Sequence, residues 1–278
     1  MKTRIIVSAI GIPIIFSIII FAPLWVFALV ASVFSALSAY ELLTGALPEL
    51  PRRYIIYAMT SCVLIPLVSL TGSWNAITAA VPFLMTLTVF TDVIITFGGE
   101  KRIGLYEICV ILFSGIIMPI MLSSLVRLGH QGNRAVSILL PILSTFSTDS
   151  GAYFVGTFIG KHKLSPEVSP SKTIEGAVGG FVSNIVILLI YGLILKYFGF
   201  TVDFLLMTVY GFLGSFTCQI GDLAFSVIKR ICGIKDYGKL IPGHGGALDR
   251  MDSLHFTAPM IEILMLLLPA IVVSAAGS

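Results

Sequence analysis

Charged residues are scarce in this chain: only 11% of its 278 positions are charged, whereas 57% are hydrophobic. A soluble domain carries about a quarter charged residues, so a soluble globular fold is excluded. The mean hydropathy is +1.03, and the net charge of +3 is too small to indicate a nucleic-acid-binding surface. The composition therefore predicts a polytopic membrane protein whose main solvent is lipid.

Paired cysteines are also missing. Cys62, Cys109, Cys218 and Cys232 show no paired spacing, so neither a disulfide framework nor a zinc site is predicted. The sequence contains no dinucleotide-binding glycine fingerprint, internal repeat or low-complexity tract. Any chemistry must therefore come from acids, bases, hydroxyls and isolated glycines.

Long apolar runs are what the sequence has instead. Helical runs of about 17 to 25 apolar residues are long enough to cross a hydrocarbon core of about 30 Å. This pattern predicts an all-α polytopic membrane protein with about nine transmembrane helices. The predicted spans are residues 5–22, 24–43, 54–70, 75–97, 108–127, 136–159, 177–197, 203–227 and 254–275.

The distribution of Lys and Arg predicts the orientation of these spans. With the N-terminus in the cytoplasm, all of the 17 basic residues except Arg127, Arg134 and Lys196 fall on the cytoplasmic side. This orientation places the polar loops 160–176 and 228–253 on the same face. Because almost all reactive side chains follow residue 145, residues 1–145 are interpreted as scaffold helices and residues 146–278 as a catalytic region.

The first polar cluster occupies residues 147–180. An ionised Asp149 inside a span is costly, so it is expected to face a wet cavity or a partner. The loop that follows contains Ser171, Lys172 and Thr173 just before a predicted helix, where hydroxyls, lysines and free backbone amides suit a phosphate group. A solvated basic loop remains the alternative. The intramembrane acids Asp92 and Glu262 are isolated and are interpreted as structural.

The second polar cluster begins on a predicted helix and continues through IPGHGGALDRMDS, residues 241–253. Asp222 and Ser226 lie four residues apart and share one helical face with the basic pair that follows. Asp249 and Asp252 lie three apart, so a helical turn would project both carboxylates the same way. Carboxylates from separate segments suit Mg²⁺ with open positions for phosphate oxygens.

Glycines surround the last of these acids. Gly243, Gly245 and Gly246 allow the backbone to approach a phosphate closely, and successive amides can form an anion-binding nest. His244 is interpreted as a phosphate contact, because no cysteine or second histidine stands at zinc-ligand spacing.

The run SVIKRICGIKDYGKLIPGHGGALDRMDS, residues 226–253, resembles the signature of the phosphatidate cytidylyltransferases, which are integral-membrane CDP-diacylglycerol synthases. The segments DSGAY, GKHK and SPSKTIEG are also similar to that family, although the family more often has a second lysine where this chain has Ser171. The resemblance is specific across residues 149–253 and generic before them.

This resemblance implies Mg²⁺-dependent transfer of CMP from CTP to phosphatidic acid by a homodimer. The small net charge predicts that the protein binds no nucleic acid. Asp222 and Asp249, with Asp252 as a further ligand or supporting partner, are the expected metal ligands. The expected catalytic residues are Asp222, Lys229, Asp249, Asp252 and Lys172. The residues expected to contact substrate are Ser171, Lys172, Thr173, Ser226, Arg230, Lys235, Gly243, His244, Gly245, Gly246 and Arg250.

Two other functions remain open from the residues alone. Buried acids and interrupted helices also occur in ion-coupled secondary transporters. A CTP-dependent polyprenol kinase would use similar phosphate-binding residues on another lipid. The expected location is the bacterial inner membrane, with the active site on the cytoplasmic side.

Overall fold

The computed structural model describes residues 13–72, 75–99, 102–238 and 245–273, and within them the chain is predominantly helical. The all-α prediction is therefore confirmed. Residues 13–21 are helical. The helices that follow are α1 (Leu24–Ala46), α2 (Arg52–Val68), α3 (Ala76–Thr96), α4 (Leu105–Leu112), α5 (Met118–Leu128), α6 (Arg134–Phe158), α7 (Ile174–Tyr197), α8 (Phe204–Ile231) and α9 (Leu248–Leu267).

Polar side chains fix where several helices begin. Asn75, Asn133, Thr173 and Asp203 accept hydrogen bonds from backbone N–H groups at the starts of α3, α6, α7 and α8 respectively. The first N–H groups of a helix have no intrahelical partner, so these caps stabilise the observed boundaries.

Two short antiparallel sheets interrupt the helical pattern. Strand β1 (Lys163–Ser165) pairs with β2 (Ser169–Thr173), and β3 (Phe200–Val202) pairs with β4 (Ile271–Val273). Strands β1 and β2 form a hairpin inside the predicted loop 160–176. The sequence did not predict these strands, because segments of three to five residues are too short to show the alternation of apolar and polar residues that marks a half-buried strand.

Fewer segments qualify as membrane spans than predicted. Among the described residues, six are long and apolar enough to cross a membrane: α1, Arg52–Thr71, α3, Leu105–Leu128, α7 and α8. Helix α6 is not among them and carries Asp149 among several hydroxyls. Helix α9 is not among them either and carries four charged residues. Residues 5–12 of the predicted span 5–22 lie outside the described residues.

The boundaries of α9 correct the sequence prediction at both ends. This helix starts at Leu248 instead of residue 254, so Asp249 and Asp252 lie in its first turns. It ends at Leu267, and residues 271–273 form β4 instead of continuing the predicted span to residue 275. Pro269 explains the early end, because the residue before a proline disfavours the helical conformation.

The described chain forms two compact units. The first comprises the described residues within Met1–Arg127 and Ile231–Met251. The second comprises those within Leu128–Arg230 and Asp252–Ser278. The predicted site residues are therefore divided: Asp222 and Asp252 belong to the second unit, and Asp249 belongs to the first.

The first unit is built around α1, α2, α3 and the segment Leu105–Ile117. Gly115, in the π-helical turn Phe113–Ile117, packs so closely that an added Cβ would lie 2.2 Å from Met85 Cε. Asp92 pairs with Arg53 at 2.7 Å, which agrees with the structural role expected for that acid. The buried core residues include Leu43, Leu47, Tyr54, Ala58, Met85, Val89 and Ile111.

The second unit has a polar connection inside its apolar core. Asn184 Nδ2 donates to Ser144 Oγ at 2.7 Å and to the Gly211 carbonyl at 2.8 Å, and its Oδ1 accepts from Ser147 Oγ at 2.8 Å. These bonds join α6, α7 and α8 at a fully buried point. A satisfied network of this kind fixes the relative position of the three helices. The surrounding core residues are Leu128, Leu140, Leu188, Met207, Tyr210, Ile261, Leu264 and Ala270.

Candidate functional site

Glu175 closes the base of the β1–β2 hairpin. Its carboxylate accepts from the backbone N–H of Lys161 at 3.1 Å and of His162 at 3.2 Å, and it contacts His162 Nδ1 at 2.5 Å. The Ile174 N–H donates to the His162 carbonyl at 2.9 Å. The hairpin is therefore anchored to the first turn of α7, immediately after Lys172 and Thr173.

Glycines let α6 and α7 approach closely beside this hairpin. An added Cβ on Gly151 would lie 2.2 Å from Ser183 Oγ, and one on Gly179 would lie 2.5 Å from Val155 Cβ. Small residues allow such backbone proximity between apolar helices, where packing is the main source of association. This packing places Asp149 of α6 beside the helix that carries the hairpin.

We expect Gly179→Ala to destabilise the second unit, because the new methyl group would overlap the Cβ and both methyl groups of Val155. Overpacking of this kind costs about 1–3 kcal/mol. Thermal inactivation in detergent would measure the loss. Gly98→Ala is the matched control, since no atom lies within 4 Å of a Cβ added there; equal stability of the two variants would contradict the proposed close packing.

Lys172 and Asp222 form the central contact of the second unit. Lys172 Nζ lies 2.5 Å from Asp222 Oδ2, and both side chains are partly exposed, at 24% and 29%. Ser226 Oγ donates to Asp222 Oδ1 at 3.3 Å, across one turn of α8. The structure thus joins a predicted phosphate-binding lysine to a predicted metal ligand, and it confirms that Asp222 and Ser226 share a helical face.

A cavity of about 350 Å³ surrounds this ion pair. Four elements supply its walls: α6, the hairpin, α7 and α8. The side chains that bring polar atoms to it are Asp149, Tyr153, Thr157, Ser171, Lys172, Thr173, Gln219 and Asp222. Five of these were singled out from the sequence. Tyr153, Thr157 and Gln219 were not, because nothing in their local pattern distinguishes them from packing residues.

The remaining predicted residues of this unit have different roles. Arg230 Nε donates to the Val168 carbonyl at 3.1 Å and so ties α8 to the turn of the hairpin. Asp252 is only 9% exposed. Burial raises the pKa of the Asp252 carboxyl well above its usual value and the charge of Asp222 raises it further, whereas Lys229 lowers it. The Asp252 carboxyl is therefore protonated more readily than an exposed aspartate.

Asp249 organises a different part of the chain, in the first unit. Its Oδ2 accepts from the Tyr237 N–H at 3.0 Å and from the Gly246 N–H at 3.1 Å. Gly245 adopts φ +86°, a left-handed conformation that favours glycine. Lys235 and Arg250 are exposed. The predicted contacts Gly243 and His244 lie outside the described residues.

A larger cavity of about 670 Å³ also lies in the first unit. Its charged lining residues are Glu49, Arg52, Arg102 and Glu107, and no predicted site residue lines it. We place the candidate site at the smaller cavity, because that cavity combines a lysine, two acids and hydroxyls, a combination suited to phosphate chemistry.

Comparison with known proteins relates this geometry to a family. A sequence model described as the cytidylyltransferase family matches residues 2–268. The chain belongs to the cytidylyltransferase family. The resemblance read from residues 149–253 is therefore confirmed.

Several relatives of this family member carry the name phosphatidate cytidylyltransferase. The protein from Staphylococcus saprophyticus is 41% identical over 129 residues, which are 46% of this chain and 48% of the relative. The Bacillus subtilis protein is 44% identical over 126 residues, which are 44% of each chain. The Staphylococcus aureus protein is 45% identical over 134 residues, 46% of this chain and 48% of the relative. The matched part thus spans about half the length of these relatives.

Glu41 is a residue of the first unit whose role the sequence interpretation missed. It belongs to α1, is 3% exposed, and accepts hydrogen bonds from the backbone N–H groups of Ala247 and Leu248 at the start of α9. The only signal in the sequence is an acid at the end of a long apolar run. Its partners are about two hundred residues away, so no local pattern could reveal them.

The acidic side chains of the second unit are the candidate ligands for a divalent cation. No three His, Cys, Asp or Glu side chains are arranged to hold a metal ion within the four described ranges. Mg²⁺ is nevertheless commonly held by one or two carboxylates with several waters. Asp222 is partly exposed, Asp252 is buried, and the two carboxyls interact electrostatically, so a cation there would offset the repulsion between these acids. The oxygen donors of the second unit therefore fit Mg²⁺.

Proposed function

We propose that this protein transfers CMP from CTP to phosphatidic acid, forming CDP-diacylglycerol and pyrophosphate. The main support is the Lys172–Asp222 pair at a cavity that also exposes the Ser171 and Thr173 hydroxyls. Membership of the cytidylyltransferase family and the names of the matched relatives also support it.

The proposed reaction needs no strong base. An oxygen of the ionised phosphatidate phosphate forms a bond to the α-phosphorus of CTP. The bond from that phosphorus to the bridging oxygen breaks, and its electron pair leaves with pyrophosphate. The barrier is therefore dominated by bringing two polyanions together and by charge on the transferring group.

Several residues around the cavity can lower this barrier. Lys172 offers a cation to a phosphate oxygen, and its pairing with Asp222 holds the ammonium at the cavity when no nucleotide is present. The hydroxyls of Ser171 and Thr173 line the same cavity and can donate hydrogen bonds to phosphate. Lys229 offsets the negative charge of Asp252. We assign Arg230 a supporting role, because it holds the hairpin turn.

Asp222 would hold Mg²⁺, with Asp249 and Asp252 as the further ligands proposed from the sequence. When bound, the ion would offset charge on the phosphates and on the leaving pyrophosphate. Substrate contacts by Lys235, Arg250 and the glycines around Asp249 belong to the same proposal. The basic segments favour a cytoplasmic active site in the inner membrane of a bacterium, and we propose a homodimer as the assembly.

Labelled CTP distinguishes this reaction from the alternatives. The protein in detergent would be given phosphatidic acid, a polyprenol and CTP labelled at either the α- or the γ-phosphate. We expect α-label in the lipid and γ-label in pyrophosphate. A polyprenol kinase would move γ-label to a polyprenol, and an ion-coupled carrier would leave CTP intact; either result would overturn the proposal.

Chelation should abolish this turnover. Excess EDTA is expected to reduce CMP transfer to background, and added Mg²⁺ should restore it, because the acids around Asp222 would otherwise repel the phosphates. A titration of activity against free Mg²⁺ would measure the effect, with EDTA already saturated by Mg²⁺ as the control. Full activity under chelation would remove the metal from the mechanism.

A further inference from the structure

We infer that Glu41 is a positioning residue that fixes the start of α9 and thereby holds Asp249 in place. This inference rests on the proposed function, because it assigns Asp249 to the reacting centre. All of the contacts that carry it lie within the first unit.

The burial of Glu41 requires an explanation. Helix α1 has no other charged residue in its 23 positions, and Glu41 is 3% exposed. Burying an ionised carboxylate is expensive unless its oxygens are hydrogen-bonded. A buried acid in such a helix therefore indicates a specific task for its oxygens.

Both carboxylate oxygens are used. Oε1 accepts from the Ala247 N–H at 3.0 Å, and Oε2 accepts from the Leu248 N–H at 2.9 Å. These amides lie at the beginning of α9, where N–H groups lack intrahelical partners and the helix dipole favours negative charge. Glu41 therefore caps α9 from a distant helix and defines where α9 begins.

Two glycines make the approach of Glu41 possible. A Cβ added to Gly238 would lie 2.3 Å from Glu41 Oε1, and one added to Gly246 would lie 2.4 Å from Oε2. Neither glycine has a positive φ. Glycine is needed here because it leaves space for the carboxylate, and any side chain would displace Glu41 from the two amides.

Asp249 continues the same set of contacts. It accepts from the Tyr237 and Gly246 N–H groups, which are adjacent in sequence to Gly238 and Ala247. Glu41 therefore holds residues 247 and 248, and Asp249 is the next residue in the chain. Loss of the Glu41 bonds would leave the Asp249 carboxylate with a variable position, even if α9 remained helical.

Glu41→Gln tests this inference. Glutamine has nearly the same shape, but its amide group would place a donor against a backbone donor and lose one of the two hydrogen bonds. We expect kcat to fall about 10- to 100-fold, as for residues that orient ligands, with the KM for CTP nearly unchanged. Glu49→Gln is the control, because Glu49 is an exposed acid in the same unit and is expected to leave kcat unchanged.

Hydrogen exchange supplies a readout that is independent of turnover. The amides of Ala247 and Leu248 should exchange at least about tenfold faster in Glu41→Gln, because one of them loses its acceptor, while peptides from α2 and α3 stay unchanged. Unchanged exchange at these amides, or full activity, would overturn the inference. Faster exchange throughout the first unit would also overturn it, because Glu41 would then support the fold in general.

A second variant covers the case in which Glu41→Gln does not fold. Gly238→Ala would press on Glu41 Oε1 and should give the same selective loss of kcat and the same faster local exchange. Normal kcat and normal exchange would count against the inference. If the unaltered protein fails to transfer CMP, the proposed function fails, whereas the exchange measurement still tests whether Glu41 holds these amides.

Discussion

Asp222→Asn is expected to reduce CMP transfer by roughly 100- to 1,000-fold, the loss typical when one electrostatic group of an active site is removed. Asparagine can still accept a hydrogen bond from Ser226, so the local packing of α8 should survive. What is lost is the charge that pairs with Lys172 and that would hold the cation. Initial rates with labelled CTP, measured on protein of equal monodispersity in detergent, would give the magnitude.

Asp203→Asn is the matched control for that result. Asp203 lies immediately before α8 and accepts from the N–H groups of Leu205 and Leu206. Asparagine caps helices about as well as aspartate, so stability and turnover should both remain close to those of the unaltered protein. Comparable activity in Asp222→Asn and Asp203→Asn would remove Asp222 from the reacting centre.

Asp249→Asn is expected to abolish detectable turnover, which corresponds to a loss of roughly 100- to 1,000-fold or more. The variant protein should remain folded and extractable. One amide oxygen can still accept from Tyr237 or Gly246, so the turn before α9 should persist. The negative charge at the proposed metal ligand is lost. A titration of activity with Mg²⁺ would show whether any residual rate requires a higher concentration of the ion.

The Glu41→Gln and Asp249→Asn variants distinguish the role of Glu41 from the role of Asp249. Asp249→Asn should remove turnover with little change in the exchange of Ala247 and Leu248, whereas Glu41→Gln should alter that exchange and reduce turnover less. Near-normal activity of Asp249→Asn would remove its assignment as a metal ligand. Glu49→Gln again controls for the removal of a carboxylate from this unit.

The helices were the most predictable part of the fold. Apolar runs of sufficient length specify membrane helices, because every backbone polar group must be satisfied inside the segment. The predicted boundaries were wrong at both ends of α9. Leu248 starts α9 within a segment that hydropathy assigned to a loop, and Pro269 ends it early. The β1–β2 hairpin was missed because its strands are only three and five residues long and mostly polar.

The candidate site was predictable only in its residue types. Asp222, Ser226 and Lys172 stood out as polar residues in an apolar chain, and the signature indicated a phosphate chemistry. Which of them contact each other did not follow from their positions in the sequence. The pairing of Lys172 with Asp222 depends on a hairpin closed by Glu175 and on close packing between α6 and α7.

The sequence by itself determined that this protein is a helical membrane protein of the cytidylyltransferase family, because hydropathy and local motifs depend only on residues that are close together in the chain. The tertiary structure alone decided that Lys172 reaches Asp222 and that Glu41 caps α9. Both contacts join residues far apart in the chain, and their geometry depends on helix packing and on glycines that leave room for it. Such distances are set by the folded arrangement of the segments, which no local pattern encodes.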